Sequence, residues 1–449
     1  MAEALDIRSL QAGQRLTRSL YTKHGAKLAP RGGALSDSQL ARLREQRTQI
    51  YVGFPIGARR AQRADEPITA DQAPTIEARI LARIETGGVV VEASAARRKS
   101  LREAERVAGQ RAARWEAMPL RVGKGADPVV APAAIRNAHA APWPASIPSP
   151  ARWRAAAVDR CRAMLAALAN GQELPLAEPM TLLDELVALL RAAPGRFPAL
   201  ALRRESDQDY LPGHSFSCAV VAMALGARLG WDESDVRIAG FAALFADAGM
   251  SALSPRLRLE DELLDEITLN RVRRHPALSV AMLDVVRAAP AAALRAILQH
   301  HERDDGSGYP FGLRSRAIAD HAKAVALADA FCAAASDRPY RALVKRPHDA
   351  MAEIIRHAAE GRFDRDGARA LASAVGLFPV GSHVRLSDGR RAVVEAANLE
   401  RTERPLVRVV PASPRIATPH ETIDLAEIPE WELAVVAPAD TPWTHARAA

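Results

Sequence analysis

Aromatic residues make up only 4% of this 449-residue chain, and just three cysteines occur in it, Cys161, Cys218 and Cys332. The cysteines are far apart and form no C-x-x-C pair, which excludes a disulfide framework and a zinc finger and fits a reducing, cytoplasmic setting. Long apolar runs are also missing. The first residues carry early acids, and the longest uncharged helical stretch, about His214 to Ala227, is too short to span a bilayer, so the expectation is a soluble protein with no membrane partner. Between Ala58 and Pro150 the composition shifts, and Arg97, Arg98, Lys99, Arg102, Arg106, Arg111, Arg114, Arg121 and Lys124 accumulate with few acids among them. The formal charge of +8 raises general affinity for anions without naming one.

What remains is rich in alanine, arginine and leucine, which favours helix. The length implies several domains. Short apolar runs broken by His24-Gly25 and Gly32-Gly33, with a helix starting at Ser36, read as a small β-rich module over 1–58. A basic helical segment and an Ala/Pro-rich linker fill 59–150. From 151 to 375 the apolar period is helical, with a capping box expected at Thr181 to Asp184 and helices expected over 215–229, 233–246, 263–287, 290–303 and 318–336. This predicts an all-α bundle. After Gly376 the period changes to two, with an Asp388-Gly389 hairpin turn, and 376–449 reads as a small β extension.

One stretch carries chemistry: His300-His301-Glu302-Arg303-Asp304-Asp305-Gly306-Ser307-Gly308-Tyr309-Pro310. Adjacent helical residues point about 100° apart, so two neighbouring imidazoles do not both sit well in an apolar core, and a metal site explains them better. A single such histidine is more often an ordinary polar residue. The glycine-rich turn and Tyr309 that follow decide against that here.

This run matches HHExxDGxGYP, the signature of the HD-GYP family of metal-dependent phosphohydrolases that cleave the bacterial second messenger cyclic di-GMP, and the chain resembles that family. Further landmarks follow in order. Asp209-Tyr210 and His214 resemble the family's first histidine segment, Asp247-Ala248-Gly249 the His-Asp motif, His275-Pro276 the middle histidine, Asp329 the last carboxylate, and Arg338-Pro-Tyr340-Arg341 its basic segment. The resemblance implies a mainly α protein, an all-α HD-type helical bundle flanked by the two small β parts. It implies metal ligands at His214, Asp247, His275, His300, His301 and Asp329, with Asp247 bridging two ions as the residue central to catalysis. It places substrate contacts at Asp305, Gly308, Tyr309, Pro310, Arg338 and Arg341. Two close metal ions generate a nucleophile from water and hold phosphoryl oxygens, and imidazole and carboxylate donors suit iron, manganese or zinc, with iron or manganese expected.

Two positions depart from the pattern. Ala246 stands where the motif has its histidine, and Met250 where it has lysine. An alanine cannot coordinate, and a methionine offers no charge to a transferring phosphoryl group. One ion, two, or none are all compatible with what is left, and Tyr210, where some relatives have a glutamate, excludes a third. The expectation is a cyclic di-GMP signalling protein with weak or lost phosphodiesterase activity. The alternative is a catalytically silent receptor, or an adaptor meeting signalling proteins through its GYP loop. Nucleic acid is disfavoured as a partner, since Glu103, Glu105 and Glu116 interleave the arginines and Trp115 alone is placed for stacking. Cys332, at a position that is aspartate in the family, reads as a small core residue.

Overall fold

The computed structural model describes residues 141–201, 210–252, 272–283, 288–335, 346–410 and 421–439, with shorter pieces elsewhere. The chain divides into two compact units, Met1–Pro74 with Leu259–Arg271, and Thr75–Arg258 with Val272–Ala449. Among its described residues the first has four short strands, β1 (Glu3–Leu5), β2 (Leu20–Thr22), β3 (Lys27–Ala29) and β4 (Ile50–Val52), in an antiparallel sheet of order β1-β4-β2-β3. The helix expected from Ser36, the arginine-rich segment before Arg121, and residues 263–269 of the helix expected over 263–287 lie outside the described residues; in the described part of that last stretch the helix runs over His275–Met282, with a turn just before it.

The second unit holds a helical core. Among the described residues its helices are α1 (Pro150–Ala169), α2 (Ala177–Ala192), α3 (Leu211–Arg228), α4 (Glu233–Phe245), α5 (His275–Met282), α6 (Ala291–Gln299), α7 (Asp320–Ala335), α8 (Pro347–Ala359) and α9 (Arg365–Val375). Every residue of α3 from Leu211 to Ala227 is buried, as expected of a helix apolar on all sides. Its alanines, glycines and serines let α1, α4, α7 and α9 pack close around it. In α2, Leu182, Leu183, Leu186, Val187, Leu189 and Leu190 are all buried, each stabilising the core by about 1.5–3 kcal/mol.

The capping box expected at Thr181 does not form. α2 begins a turn earlier, at Ala177, because Pro179 is tolerated in a first turn, and Thr181 instead donates its hydroxyl to the Ala177 carbonyl from inside the helix. Side-chain N-caps occur at Asp232, which accepts from the Asp235 amide to start α4, and at Asp364, which accepts from the Gly367 amide to start α9.

The C-terminal strands β5 (His383–Leu386), β6 (Arg391–Ala396), β7 (Leu406–Val410), β8 (Thr422–Asp424) and β9 (Val435–Pro438) form an antiparallel sheet of order β8-β7-β6-β5-β9. Val384, Leu386, Ala392, Val394 and Val407 fill its own core. The Asp388-Gly389 turn joins β5 to β6, with Gly389 at a φ of +88° that favours glycine. Among the described residues no helix is long and apolar enough to cross a membrane.

Candidate metal centre

The site lies where five parts of the helical core meet. His214 sits in the first turn of α3, and Pro212 just before it costs no hydrogen bond there. Asp247 follows the last turn of α4, His275 opens α5, and His300 and His301 end α6. Asp329 projects from the middle of α7.

Backbone packing fixes these positions. The Ser279 hydroxyl donates to the Ala246 carbonyl at 2.7 Å and accepts from the Gly249 amide at 2.8 Å, tying the Asp247 segment to α5. Gly249 is required by this close approach, since a Cβ there would stand 2.3 Å from the His275 carbonyl oxygen. His275 Nδ1 lies 2.7 Å from the Val272 carbonyl, and His300 Nδ1 lies 2.6 Å from the Ile297 carbonyl. A carbonyl only accepts, so both Nδ1 atoms carry the proton and both Nε2 atoms present lone pairs.

Those lone pairs converge. His275 Nε2 is 3.3 Å from His300 Nε2, 3.1 Å from His301 Nε2 and 3.1 Å from Asp247 Oδ1. Donors bound to one first-row ion at about 2.1 Å stand about 3.0–3.4 Å apart, so these spacings fit a metal, and bare lone pairs this close repel without a cation. Asp247, His275, His300 and His301 therefore form one donor group, and His214, Cys218 and Asp329 form a second, with the atoms of each group mutually within 4.8 Å. Asp247 faces both, with Oδ1 toward His275 and Oδ2 3.4 Å from His214 Nε2.

Electrostatics agree with the donor roles. Burial works against the Asp247 carboxylate, but the imidazoles of His214, His275 and His300, which in the metal-free protein can share protons with it, outweigh that and hold it well below the usual range. Asp329 is likewise buried and is held down by its bond to His214. Burial, with the neighbouring imidazoles of His300 and His275 acting in the same direction, pushes His301 far below the usual imidazole value, so it is neutral and able to coordinate. Burial pushes the Tyr309 phenol up, so it stays a protonated donor.

The loop after α6 roofs the first group. Tyr309 stacks on His301 with ring centres 4.6 Å apart, and its amide donates to the His301 carbonyl. The buried Glu302 carboxylate accepts from the Phe311 amide at 2.7 Å and the Leu313 amide at 2.8 Å, closing the loop onto the helix end. Gly308 packs on backbone, where a Cβ would stand 2.4 Å from the His301 carbonyl oxygen. Asp305 accepts from the Ser307 amide and shapes the turn, and the Tyr309–Pro310 bond is cis.

The structure thus brings together His214, Asp247, His275, His300, His301, Asp329, Gly308 and Tyr309. Asp209, Arg338, Tyr340 and Arg341 lie outside the described residues. Two residues near the site were missed in the sequence. Cys218 stands one turn after His214, a spacing visible in the sequence but masked by the cysteine's apolar neighbours. Arg273 places its guanidinium 5.7 Å from the Tyr309 ring centre, which no local pattern announces. Ala246 and Met250 are both buried beside Asp247 and add no donor or charge.

A helical core whose histidines and aspartates gather in this order defines an HD-type scaffold. Residues 200–367 match the family model described as HD domain, and with the loop they form an HD domain of the HD-GYP type. The chain is 36% identical over 258 residues to a cyclic di-GMP phosphodiesterase of Pseudomonas aeruginosa, covering 57% of this chain and 61% of that one. It is 42% identical over 123 residues to a cyclic di-GMP phosphodiesterase response regulator of Xanthomonas campestris, covering 27% of this chain and 32% of the relative. It thus spans less than two thirds of either relative. A solved structure of an HDG"Y"P protein from Bdellovibrio bacteriovorus aligns over 83% of this chain and 98% of that one, with 14% identity and a TM-score of 0.38.

Proposed function

We propose that this protein acts in cyclic di-GMP signalling, binding the nucleotide at a metal centre held by Asp247, His275, His300 and His301, with a second metal position at His214 and Asp329. Hydrolysis of the phosphodiester there is slow or absent. The observation that carries this reading is the pair of convergent donor groups beside the buried, unhelpful side chains of Ala246 and Met250. The names of the relatives supply the nucleotide.

Iron or manganese suits the donor set, and a bound ion supplies positive charge to phosphoryl oxygens and acidifies water. The chain's own residues do the rest. Asp247 offers one oxygen to each donor group, and the carbonyls of Val272 and Ile297 lock two imidazoles with Nε2 inward. Tyr309 offers a phenolic donor and a ring face at the mouth of the site. Arg273 places a guanidinium over that ring, bringing to this side of the pocket a positive charge that Met250 lacks. Arg338 and Arg341 are proposed to contact substrate phosphates, as the family pattern implies. Without the lysine, developing charge on the phosphoryl group is less stabilised, at a cost on the order of 10²–10³ in rate.

A silent receptor or adaptor is the second reading, and Ala246 with Met250 favours it. Three measurements separate the two on protein purified without a histidine tag: metal content by mass spectrometry, cyclic di-GMP hydrolysis with manganese or ferrous iron, and nucleotide binding. Metal with slow turnover, both abolished by His300→Ala, supports a weak enzyme. Metal and nucleotide binding without product supports a receptor. Neither metal nor nucleotide binding would sink the proposal.

A further inference from the structure

Beside the metal centre stands a cation that none of the sequence landmarks includes. Arg273 lies two residues before His275 and is exposed, and its guanidinium stands 5.7 Å from the centre of the Tyr309 ring. The same ring stacks on His301 at 4.6 Å and meets His275 edge-on at 6.5 Å. Tyr309 is thus one layer outside the first donor group, and Arg273 reaches it from the solvent side.

Both groups are unengaged. Among the described residues, neither the Arg273 guanidinium nor the Tyr309 hydroxyl has a hydrogen-bond or ion-pair partner. A guanidinium only donates, and a protonated phenol can donate beside it. A phosphate uses both: accepting at about 2.8 Å on two of its oxygens, it bridges donors about 5–7 Å apart, the order of separation between Arg273 and the Tyr309 ring. An exposed arginine alone is an ordinary solvated side chain. This one is held over the ring that roofs the metal centre.

A lysine at position 250 would serve a different phosphate. Met250 is buried and its amide donates to the Asp247 carbonyl, so a charge there meets a phosphate held by the metal donors. Arg273 stands on the outer side of Tyr309 and meets one held farther out. We propose that Arg273, with the Tyr309 hydroxyl, binds the second phosphate of a dinucleotide whose first phosphate lies on the metal centre, and so selects ligands with two phosphates over mononucleotides. The proposal rests on the cyclic di-GMP reading above. A contact remote from the reacting phosphate is made equally in the ground state and the transition state, so it strengthens binding without speeding turnover. It serves a receptor as well as an enzyme.

The test titrates the manganese-loaded full chain with cyclic di-GMP and, separately, with GMP, by calorimetry. Arg273→Gln is expected to weaken cyclic di-GMP binding about 10- to 100-fold, the worth of a hydrogen bond to a charged group, and to leave GMP binding within about twofold. Its metal content and melting curve should match the wild type, and where turnover is measurable KM should rise while kcat holds. Arg273→Lys should recover part of the affinity, because it restores the charge without the fork. Arg369→Gln, the same loss of charge from an exposed position on α9, should change neither titration. Unchanged cyclic di-GMP affinity in Arg273→Gln overturns the proposal, and so does an equal loss for both ligands. Lost metal or an early melt in that variant shows an assembly role and overturns it too. In all these cases the cyclic di-GMP reading still stands. If the wild type binds no cyclic di-GMP, both fall.

Discussion

Replacing Glu302 by glutamine asks whether the loop over the metal centre is built before any ligand arrives. The Glu302 side chain is 2% exposed, and each carboxylate oxygen accepts one backbone amide, Phe311 on one side and Leu313 on the other. An amide in the same place keeps one acceptor and turns a donor against the other N–H. A hydrogen bond to a charged group contributes about 1.5–3 kcal/mol, and a buried amide left without an acceptor costs about 1–3 kcal/mol. With some relaxation the expected loss is about 2–4 kcal/mol, well inside the ~5–15 kcal/mol that holds a domain folded. Denaturant unfolding should show a lower midpoint with an unchanged slope. Hydrogen exchange should show the Phe311 or Leu313 amide losing protection. Tyr309 then loosens over His301, so nucleotide affinity falls while metal content stays. If both amides keep their protection and stability changes by less than about 0.5 kcal/mol, Glu302 does not anchor the loop.

Three further outcomes follow from the same geometry. The double substitution Ala246→His with Met250→Lys should raise manganese-supported hydrolysis by on the order of 10²–10³, and unchanged turnover in a metal-loaded double variant would place the defect elsewhere. Gly308→Ala forces a Cβ against the His301 carbonyl and the Arg303 amide, so it should cost about 1–3 kcal/mol and weaken metal binding; a wild-type melting curve and metal content would refute this close packing. Burial holds both His301 and His321 below the usual imidazole value, so as pH falls below about 6.5 the unfolded chain takes up protons that the native one refuses, and the metal-free protein loses stability. Denaturant curves on either side of that pH check the sign. Asp247, held low, withdraws its contribution only below about pH 4.

The helical core was legible because its signals are local. Buried leucines at helical spacing marked α2, and the Asp388-Gly389 turn marked the β5–β6 hairpin. The HHExxDGxGYP run identified the roof of the site, since a glycine packed on backbone and a carboxylate that binds its own loop are both short-range devices. What the sequence hid depends on contacts between distant segments. Thr181 looked like a cap because Ser/Thr-x-x-Asp patterns also occur inside helices, and only the packing of α2 shows where it starts. Asp329 comes to His214 and Cys218 only through the packing of α7 on α3, which no local pattern announces. Arg273 meets Tyr309 only after α5 and α6 have packed.

The backbone explains how the site keeps its shape while its chemistry changes. The Ala246 carbonyl accepts the Ser279 hydroxyl, the Met250 amide donates to the Asp247 carbonyl, and Gly249 lies against α5. None of these contacts uses the Ala246 or Met250 side chain. A histidine and a lysine at those positions would leave the same hydrogen bonds available, so the frame that aims Asp247 at both donor groups is independent of the side chains at 246 and 250. Loss of His275 or Ser279 would be different in kind, because one is a donor and the other joins α5 to the Asp247 segment. Substitution at 246 and 250 therefore moves the site along an axis of reactivity, while substitution at 275 and 279 moves it along an axis of assembly.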